Sequence, residues 1–228
     1  MNLIQLIDNS PLPELNNTEK LYLNNLLYSI IENNKLETHI QMIDVDELEN
    51  PEKNILILGD FFFSGFGLDI ELNLAKKLRG HFDNNKVEFI NSSNSNLTTL
   101  EGVVIVENLK EELDTVILCL GSNDVLQGKN PKKIFSNLDK IIKTLLERKI
   151  SIIFVKLPIL PSFGQEYKKQ IESVNHNIIN NHNLQLFTSF NELLNNNHLQ
   201  DDGLHPNAQA SELIQEKLIP LLNINLKI

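Results

Sequence analysis

The chain has 228 residues, 41% of them hydrophobic, which is enough for one large buried core and short for two large domains. Its net charge of −10 argues against nucleic acid or an anionic membrane surface as the main partner, because both require a dense basic surface. The single cysteine, Cys119, excludes an internal disulfide, and its apolar neighbours predict a buried thiol.

The N-terminal sequence MNLIQLIDNSPLPEL has neither a basic leader nor a sustained apolar segment. No stretch approaches the roughly 18 uninterrupted apolar residues of a membrane helix, so we expect a cytoplasmic protein that is not an integral membrane protein. Residues 1–52 are expected to form an extension, with a helix over about 18–34 that Thr18 caps and a short strand over 38–43. The many apolar residues favour packing on the main domain over a detached arm that binds a protein partner.

Residues 53–228 are expected to form one α/β domain, because short apolar runs alternate with helix-length amphipathic segments. Near-continuous apolar runs are typical of parallel strands covered on both faces. The predicted strands are 54–59, 86–90, 115–120, 151–156 and 184–187. The predicted helices are 69–82, 97–109, 131–148, 165–181 and 207–222.

Four polar segments follow these apolar runs or precede the last helix, and the carboxyl ends of parallel strands form the ligand-binding edge of such a sheet. They are Gly59-Asp60-Phe61, 91–99 (NSSNSNLTT), 121–124 (GSND) and 202–206 (DGLHP). Each segment alone is also explained as a turn or a helix cap. Their combination indicates chemistry more specifically than any one of them.

Asp202 and His205 lie three residues apart on a predicted turn. The carboxylate can bind one imidazole nitrogen and leave the other nitrogen available as a base. The amide of Asn123, at a neighbouring strand end, is the kind of donor that stabilises an oxyanion. The remaining histidines have no spacing typical of a metal site, so no metal or cofactor is expected.

These segments resemble the SGNH/GDSL hydrolase family, most closely its thioesterase I/lysophospholipase L1/arylesterase branch, over about 54–222. The motifs that carry the resemblance are ILILGD, GSND, LPILPSFGQEY and QDDGLHPN. The resemblance implies a three-layer α/β/α flavodoxin-like sandwich with a central parallel five-stranded sheet. It also implies a serine esterase that cleaves acyl esters or thioesters, with His205 and Asp202 as base and acid and Asn123 in the oxyanion hole.

Two positions depart from the family pattern. Phe61 stands where the family has the nucleophilic serine, and a benzyl group cannot attack a carbonyl carbon. Asn96 stands at the position of a glycine whose backbone N–H contributes to the oxyanion hole. Asparagine retains that N–H, but its side chain is expected to crowd the site.

Other groups can be considered as replacements for the serine. Ser64 follows Phe61 by three residues, Ser122 adjoins the oxyanion loop, and His205 can activate a water molecule directly. The run of phenylalanines from Phe61 is expected to fill the core beneath the sheet edge rather than to stack on a ligand.

The leading hypothesis is therefore a catalytically inactive or severely impaired homologue with a binding or regulatory role, holding an acyl-type ligand or a protein partner. The competing hypothesis is an active hydrolase that uses Ser64 or a water activated by His205. A third hypothesis treats the domain as a structural interaction module, which a closed pocket around Phe61 would favour.

Overall fold

A computed structural model describes residues 51–159 and 163–227 of the chain. The helix predicted over 18–34 and the strand predicted over 38–43 lie outside the described residues. The five predicted strands are confirmed, each within one residue at either end. They are β1 (Lys53–Gly59), β2 (Val87–Asn91), β3 (Thr115–Cys119), β4 (Ser151–Val155) and β5 (Gln185–Phe187).

Seven α-helices occur in the described residues. They are α1 (Leu74–His81), α2 (Thr99–Asn108), α3 (Ser122–Leu126), α4 (Pro131–Glu147), α5 (Gln165–His182), α6 (Phe190–Leu193) and α7 (Ala208–Leu226). Short 3₁₀ turns cover Ile70–Leu72, Asp83–Asn85 and Asn196–His198.

The strands pair in parallel in the order β2-β1-β3-β4-β5. One hydrophobic cluster joins this sheet to α2, α4 and α5, and a second joins its other face to α1 and α7. The expected three-layer α/β/α sandwich with a parallel five-stranded sheet is therefore confirmed. The chain moves outward from β1 to β2 and then returns to β3 on the other side of β1. The carboxyl ends of β1 and β3 consequently flank a topological switch point, where such folds bind ligands.

The single helix predicted over 69–82 is wrong in its first part. The side chain of Asn73 accepts a hydrogen bond from the N–H of Ala75 at 2.9 Å and caps α1, which separates α1 from the preceding 3₁₀ turn. The last helix extends four residues beyond its predicted end at 222 and contains Pro220. Helices α3 and α6 are too short to give a periodic signal, and the sequence predicted neither.

Candidate active site

The loops that follow β1, β2 and β3 meet at the switch point. Gly59 pairs with Cys119 at the end of β1, and beyond β2 the N–H of Asn94 donates to the Gly59 carbonyl at 3.1 Å. A Cβ atom on Gly59 would lie 2.9 Å from both Phe63 Cβ and Ser93 Oγ, so this position requires glycine. The sheet therefore brings three of the four predicted polar segments together.

Phe61 lies on a tight turn after β1. The N–H groups of Phe63 and Ser64 both donate to the Asp60 carbonyl at 3.1 Å, which makes one helical turn. The Phe61 side chain is 3% exposed, and its ring contacts the ring of Phe62 with centroids 4.3 Å apart. The expectation that these phenylalanines fill the core agrees with the burial of Phe61 and Phe63.

The carboxylate of Asp60 links this turn to the loop after β3. It is fully buried and accepts hydrogen bonds from the backbone N–H of Ser122 at 2.9 Å and of Phe62 at 3.3 Å. Burial raises the pKa of Asp60 to about 7, against the opposing effect of its bonds to Ser122 and Phe62. Asp60 therefore holds the turn after β1 against the loop after β3.

The predicted Asp202–His205 pair forms. His205 Nδ1 lies 2.7 Å from Asp202 Oδ2, while Asp202 Oδ1 accepts from the backbone N–H of Leu204 at 2.9 Å and of His205 at 3.0 Å. The Leu204 N–H and then the His205 side chain lower the pKa of Asp202 to about 2, so its carboxylate is charged at neutral pH. This arrangement uses Nδ1 of the imidazole and leaves Nε2 as the nitrogen suited to act as a base.

Two phenylalanine rings contact the imidazole. The Phe66 and His205 ring centroids are 4.4 Å apart with the rings tilted by 32°. The Phe61 and His205 centroids are 5.6 Å apart with the rings nearly perpendicular, at 77°. Phe61 therefore lies beside His205, the residue predicted to be the base.

Gln200 joins the loop that carries Phe66 to the loop that carries His205. Its Nε2 donates to the Phe66 carbonyl at 2.6 Å and to the Pro206 carbonyl at 2.9 Å, and its backbone N–H donates to the His205 carbonyl at 2.8 Å. Gln200 was not among the predicted site residues. Its position directly before Asp201 and Asp202 in the QDDGLHPN motif was the only available signal.

The two predicted oxyanion donors lie on neighbouring loops, and both have acceptors within the protein. Asn123 Nδ2 donates to the carbonyls of Ser95 at 2.9 Å and Leu97 at 2.8 Å. The backbone N–H of Asn96 donates to Asn94 Oδ1 at 3.0 Å. The structure therefore brings Asn96 and Asn123 together but directs their donors toward the protein.

Both serines proposed as replacements are buried and contact groups of the surrounding loops. Ser64 is 3% exposed, and its Oγ contacts the Phe61 carbonyl at 3.2 Å and Ser95 Oγ at 3.1 Å. Ser122 is also 3% exposed and begins α3 beside Asp60. Both serines are therefore buried beneath the carboxyl edge of the sheet.

A narrow cleft lies beside the turn, and most of the residues that line it are apolar. Its empty volume is about 270 Å³, part of which is open to solvent. The residues that line it include Phe61, Phe63, Phe66, Pro206 and Ile214. Typical small-molecule pockets enclose roughly 300–1,000 Å³, so this cleft is small even when its solvent-open part is counted.

Over 51–159 and 163–227, no group of three or more His, Cys, Asp or Glu residues could hold a metal ion. In the same part of the chain, no helix is both long and apolar enough to cross a membrane.

Comparisons with known proteins agree with this fold. The family model of the GDSL-like lipases/acylhydrolases matches residues 57–213. An arylesterase from Vibrio mimicus is 30% identical over 172 residues, which are 72% of this chain and 85% of that protein. The chain therefore belongs to the GDSL-like lipase/acylhydrolase family.

A second relative, thioesterase 1/protease 1/lysophospholipase L1 of Escherichia coli strain K12, is 24% identical over 177 residues, 74% of this chain and 85% of that protein. Among solved structures, the psychrotrophic esterase EstA from Pseudoalteromonas sp. superposes with a TM-score of 0.70 at 28% identity, covering 78% of this chain and all of that one. The structure of TesA also gives a TM-score of 0.70, at 22% identity over 76% of this chain and 99% of that one, and supports the fold.

Proposed function

We propose that this chain is a member of the family that has lost ordinary serine hydrolysis and serves a binding or regulatory role, as a pseudoenzyme. The observation that carries the proposal is the buried ring of Phe61, which follows Gly59-Asp60 and packs against His205. In a well-characterised serine protease, loss of the serine lowers turnover by about 10⁶-fold. The Asp202–His205 pair remains, but it has no nucleophile to activate.

The ligand class that the family membership supports is a small molecule with an acyl ester or acyl thioester group, bound without a cofactor or a metal. The small volume of the cleft beside Phe61 opposes an acyl chain enclosed within it and favours a ligand held at the mouth of the site. We also propose that residues 1–52 form the extension through which a protein partner binds and that 53–228 form the family domain. A cytoplasmic location and no binding of nucleic acid complete the proposal.

A structural interaction module is the second candidate, and one specific observation favours it. Phe61 is 3% exposed, and Phe62 stacks on Phe190 with ring centroids 4.2 Å apart, so aromatic rings fill the space beside His205. A site filled in this way leaves little room for an acyl group. Ligand binding separates this candidate from the first.

An active hydrolase remains the alternative that activity assays test. It requires Ser64 as nucleophile or a water activated by His205. The hydrogen bonds of Ser64 Oγ to the Phe61 carbonyl and to Ser95 oppose the first route. The ring of Phe61 beside the imidazole opposes the second.

The decisive experiment measures hydrolysis of p-nitrophenyl acetate and of acyl-CoA by the intact chain, beside its His205→Ala variant. We expect wild-type rates equal to those of His205→Ala. Robust wild-type turnover that disappears in His205→Ala would overturn the proposal. Labelling by a fluorophosphonate probe at Ser64 or Ser122, located by mass spectrometry, would identify the replacement nucleophile.

A titration calorimetry experiment tests the binding role. Hexanoyl-CoA is titrated into the intact chain and into a His205→Ala control, with free CoA as the reference ligand. Binding of hexanoyl-CoA that exceeds binding of CoA supports an acyl site. Equal or undetectable binding favours the interaction module.

A further inference from the structure

In the loop after β2, a side-chain oxygen accepts the backbone N–H that is the predicted oxyanion donor. Asn94 Oδ1 accepts the backbone N–H of Asn96 at 3.0 Å, and the N–H of Leu97 donates to the Asn94 carbonyl at 3.1 Å. Such a turn, closed by an asparagine side chain on an N–H two residues later, is a stable local structure. It fixes the direction in which the Asn96 N–H points.

The same loop is held from both sides. The N–H of Asn94 donates to the Gly59 carbonyl at 3.1 Å, two residues before Phe61. On the other side, Asn123 Nδ2 donates to the carbonyls of Ser95 and Leu97, which flank Asn96. A primary amide has two N–H donors, and both are used here.

A backbone N–H carries one hydrogen, so a donor that already has an acceptor offers a new anion only a shared and weaker bond. An oxyanion would therefore compete with the Asn94 side-chain carbonyl for Asn96. It would also compete with two backbone carbonyls for Asn123. Restoring a nucleophile does not remove this competition.

We propose that Asn94 is an internal acceptor that occupies the oxyanion donor of Asn96, so that the site is inactivated at two separate points, at Phe61 and at Asn94. This inference rests on the proposed loss of serine hydrolysis and deepens it. Asn94 acts through Asn96 and does not touch the reacting atoms, so it is a positioning residue. A serine introduced at position 61 alone is therefore expected to give only weak turnover.

The first experiment compares Phe61→Ser with Phe61→Ser/Asn94→Ala in the intact chain, using p-nitrophenyl acetate. In both variants the hydroxyl of the introduced serine attacks the ester carbon, His205 takes its proton, and the carbonyl oxygen becomes the oxyanion. The oxyanion then re-forms the carbonyl and expels p-nitrophenolate, and water hydrolyses the acetyl-serine to acetate and the free serine. Loss of one oxyanion donor costs about 10²–10³ in kcat. We therefore expect the Asn94→Ala change to raise kcat by about 10²-fold while KM stays within about 3-fold.

Two matched controls separate this effect from a general loosening of the loop. Asn91 makes the same turn three residues earlier, where its Oδ1 accepts the N–H of Ser93 at 3.0 Å, so Phe61→Ser/Asn91→Ala removes an equivalent bond at another donor. Phe61→Ser/Asn94→Asp keeps an acceptor for Asn96. Neither control should exceed the kcat of Phe61→Ser.

A measurement in the wild-type background tests the hydrogen bond without any turnover. Asn94→Ala should accelerate amide hydrogen exchange at Asn96 and leave Ser93 unchanged, whereas Asn91→Ala should do the reverse. If Asn94→Ala fails to fold, Asn94→Leu has a similar volume and no acceptor, and the same results are expected from it.

Equal kcat values for folded Phe61→Ser and Phe61→Ser/Asn94→Ala would overturn the inference, as would an equal gain from Asn91→Ala. Unchanged exchange at Asn96 in folded Asn94→Ala would also overturn it. The proposed function fails by a different result, namely wild-type turnover that depends on His205. The two failures are therefore distinguishable in one set of assays.

Discussion

The ring of Phe61 lies nearly perpendicular to the imidazole of His205, with the two ring centroids 5.6 Å apart. Because Phe61 also contacts Phe62, and Phe62 stacks on Phe190, His205 belongs to a continuous aromatic packing that reaches the segment after β5. The side chain that we propose to stand in place of the nucleophile is therefore also expected to stabilise the fold.

Truncation of Phe61 tests this structural role. We expect Phe61→Ala to lower the free energy of unfolding by about 3–5 kcal/mol, because it removes a buried ring and leaves a cavity. Urea denaturation followed by circular dichroism measures the change. Leu100, which is 56% exposed, supplies the control, and Leu100→Ala should stay within about 0.5 kcal/mol of wild type. A Phe61→Ala loss below about 1 kcal/mol would show that the ring is not part of the core.

Gln200 is expected to set the position of Phe66 on His205. Gln200→Met keeps the length of the side chain but removes the donors to the Phe66 and Pro206 carbonyls, so the two loops should separate. The His205 side chain is 14% exposed, and we expect its modification by diethyl pyrocarbonate to become at least about 3-fold faster, read by peptide mass spectrometry.

The matched control for this variant is Gln215→Met. Gln215 also donates its side-chain amide to a backbone carbonyl, that of Lys77, at 2.8 Å, but it lies on α7. Gln215→Met should lose about as much free energy of unfolding as Gln200→Met, about 1–3 kcal/mol at most. It should not change the rate at which diethyl pyrocarbonate modifies His205. Equal acceleration in both variants would indicate general loosening rather than a specific role for Gln200.

Strands β1 to β4 were predictable because each is an apolar run buried over most of its length, and burial on both faces leaves little choice of residue type. Strand β5 is shorter and is partly exposed at Leu186. The Asp202–His205 pair was also predictable, because three residues on a turn bring a carboxylate and an imidazole together without help from the rest of the fold. These features depend on local sequence. Their prediction therefore did not require knowing which distant segments of the chain are in contact.

The contacts of Gln200, Asn94 and Asn123 were not predictable in the same way. Gln200 and Phe66 are 134 residues apart in the chain, and nothing local indicates that they meet. Asn123 was expected to point its amide at an oxyanion, but the path of the 94–97 loop places two carbonyls on its donors. Residue type predicted which hydrogen-bond donors are present, while the loop conformation determines which acceptors they bind.

The buried ion pair between Arg79 on α1 and Glu88 on β2 is expected to hold this helix to the sheet. The two side chains are only 10% and 6% exposed. Arg79→Met leaves the buried Glu88 carboxylate without its guanidinium, and we expect a loss of about 3–5 kcal/mol in urea denaturation. Lys86→Met breaks the exposed pair with Glu52, whose side chains are 61% and 68% exposed, and should cost less than about 1 kcal/mol. Similar losses of unfolding free energy in the two variants would contradict the role assigned to the buried ion pair.

Asp60 is expected to make stability fall as the pH rises through the weakly acidic range. Its pKa is about 7 in the folded chain, against an ordinary value of 3.8. Between these values the unfolded chain releases the proton and the folded chain keeps it, so the unfolded state binds fewer protons and the free energy of unfolding decreases. The decrease should begin near pH 4 and level off above pH 7.

The Asp60→Asn variant measures this contribution directly. An amide does not titrate, and its oxygen can still accept the N–H of Ser122. We expect the wild-type free energy of unfolding to fall between pH 4 and pH 7 by on the order of 3–5 kcal/mol more than that of Asp60→Asn. Urea denaturation at intervals across this range gives both curves. Asp202, whose pKa is lowered to about 2, acts only below about pH 4 and in the opposite direction, so it does not obscure the comparison. Parallel curves for the two proteins would show that Asp60 is charged in the folded chain throughout this range.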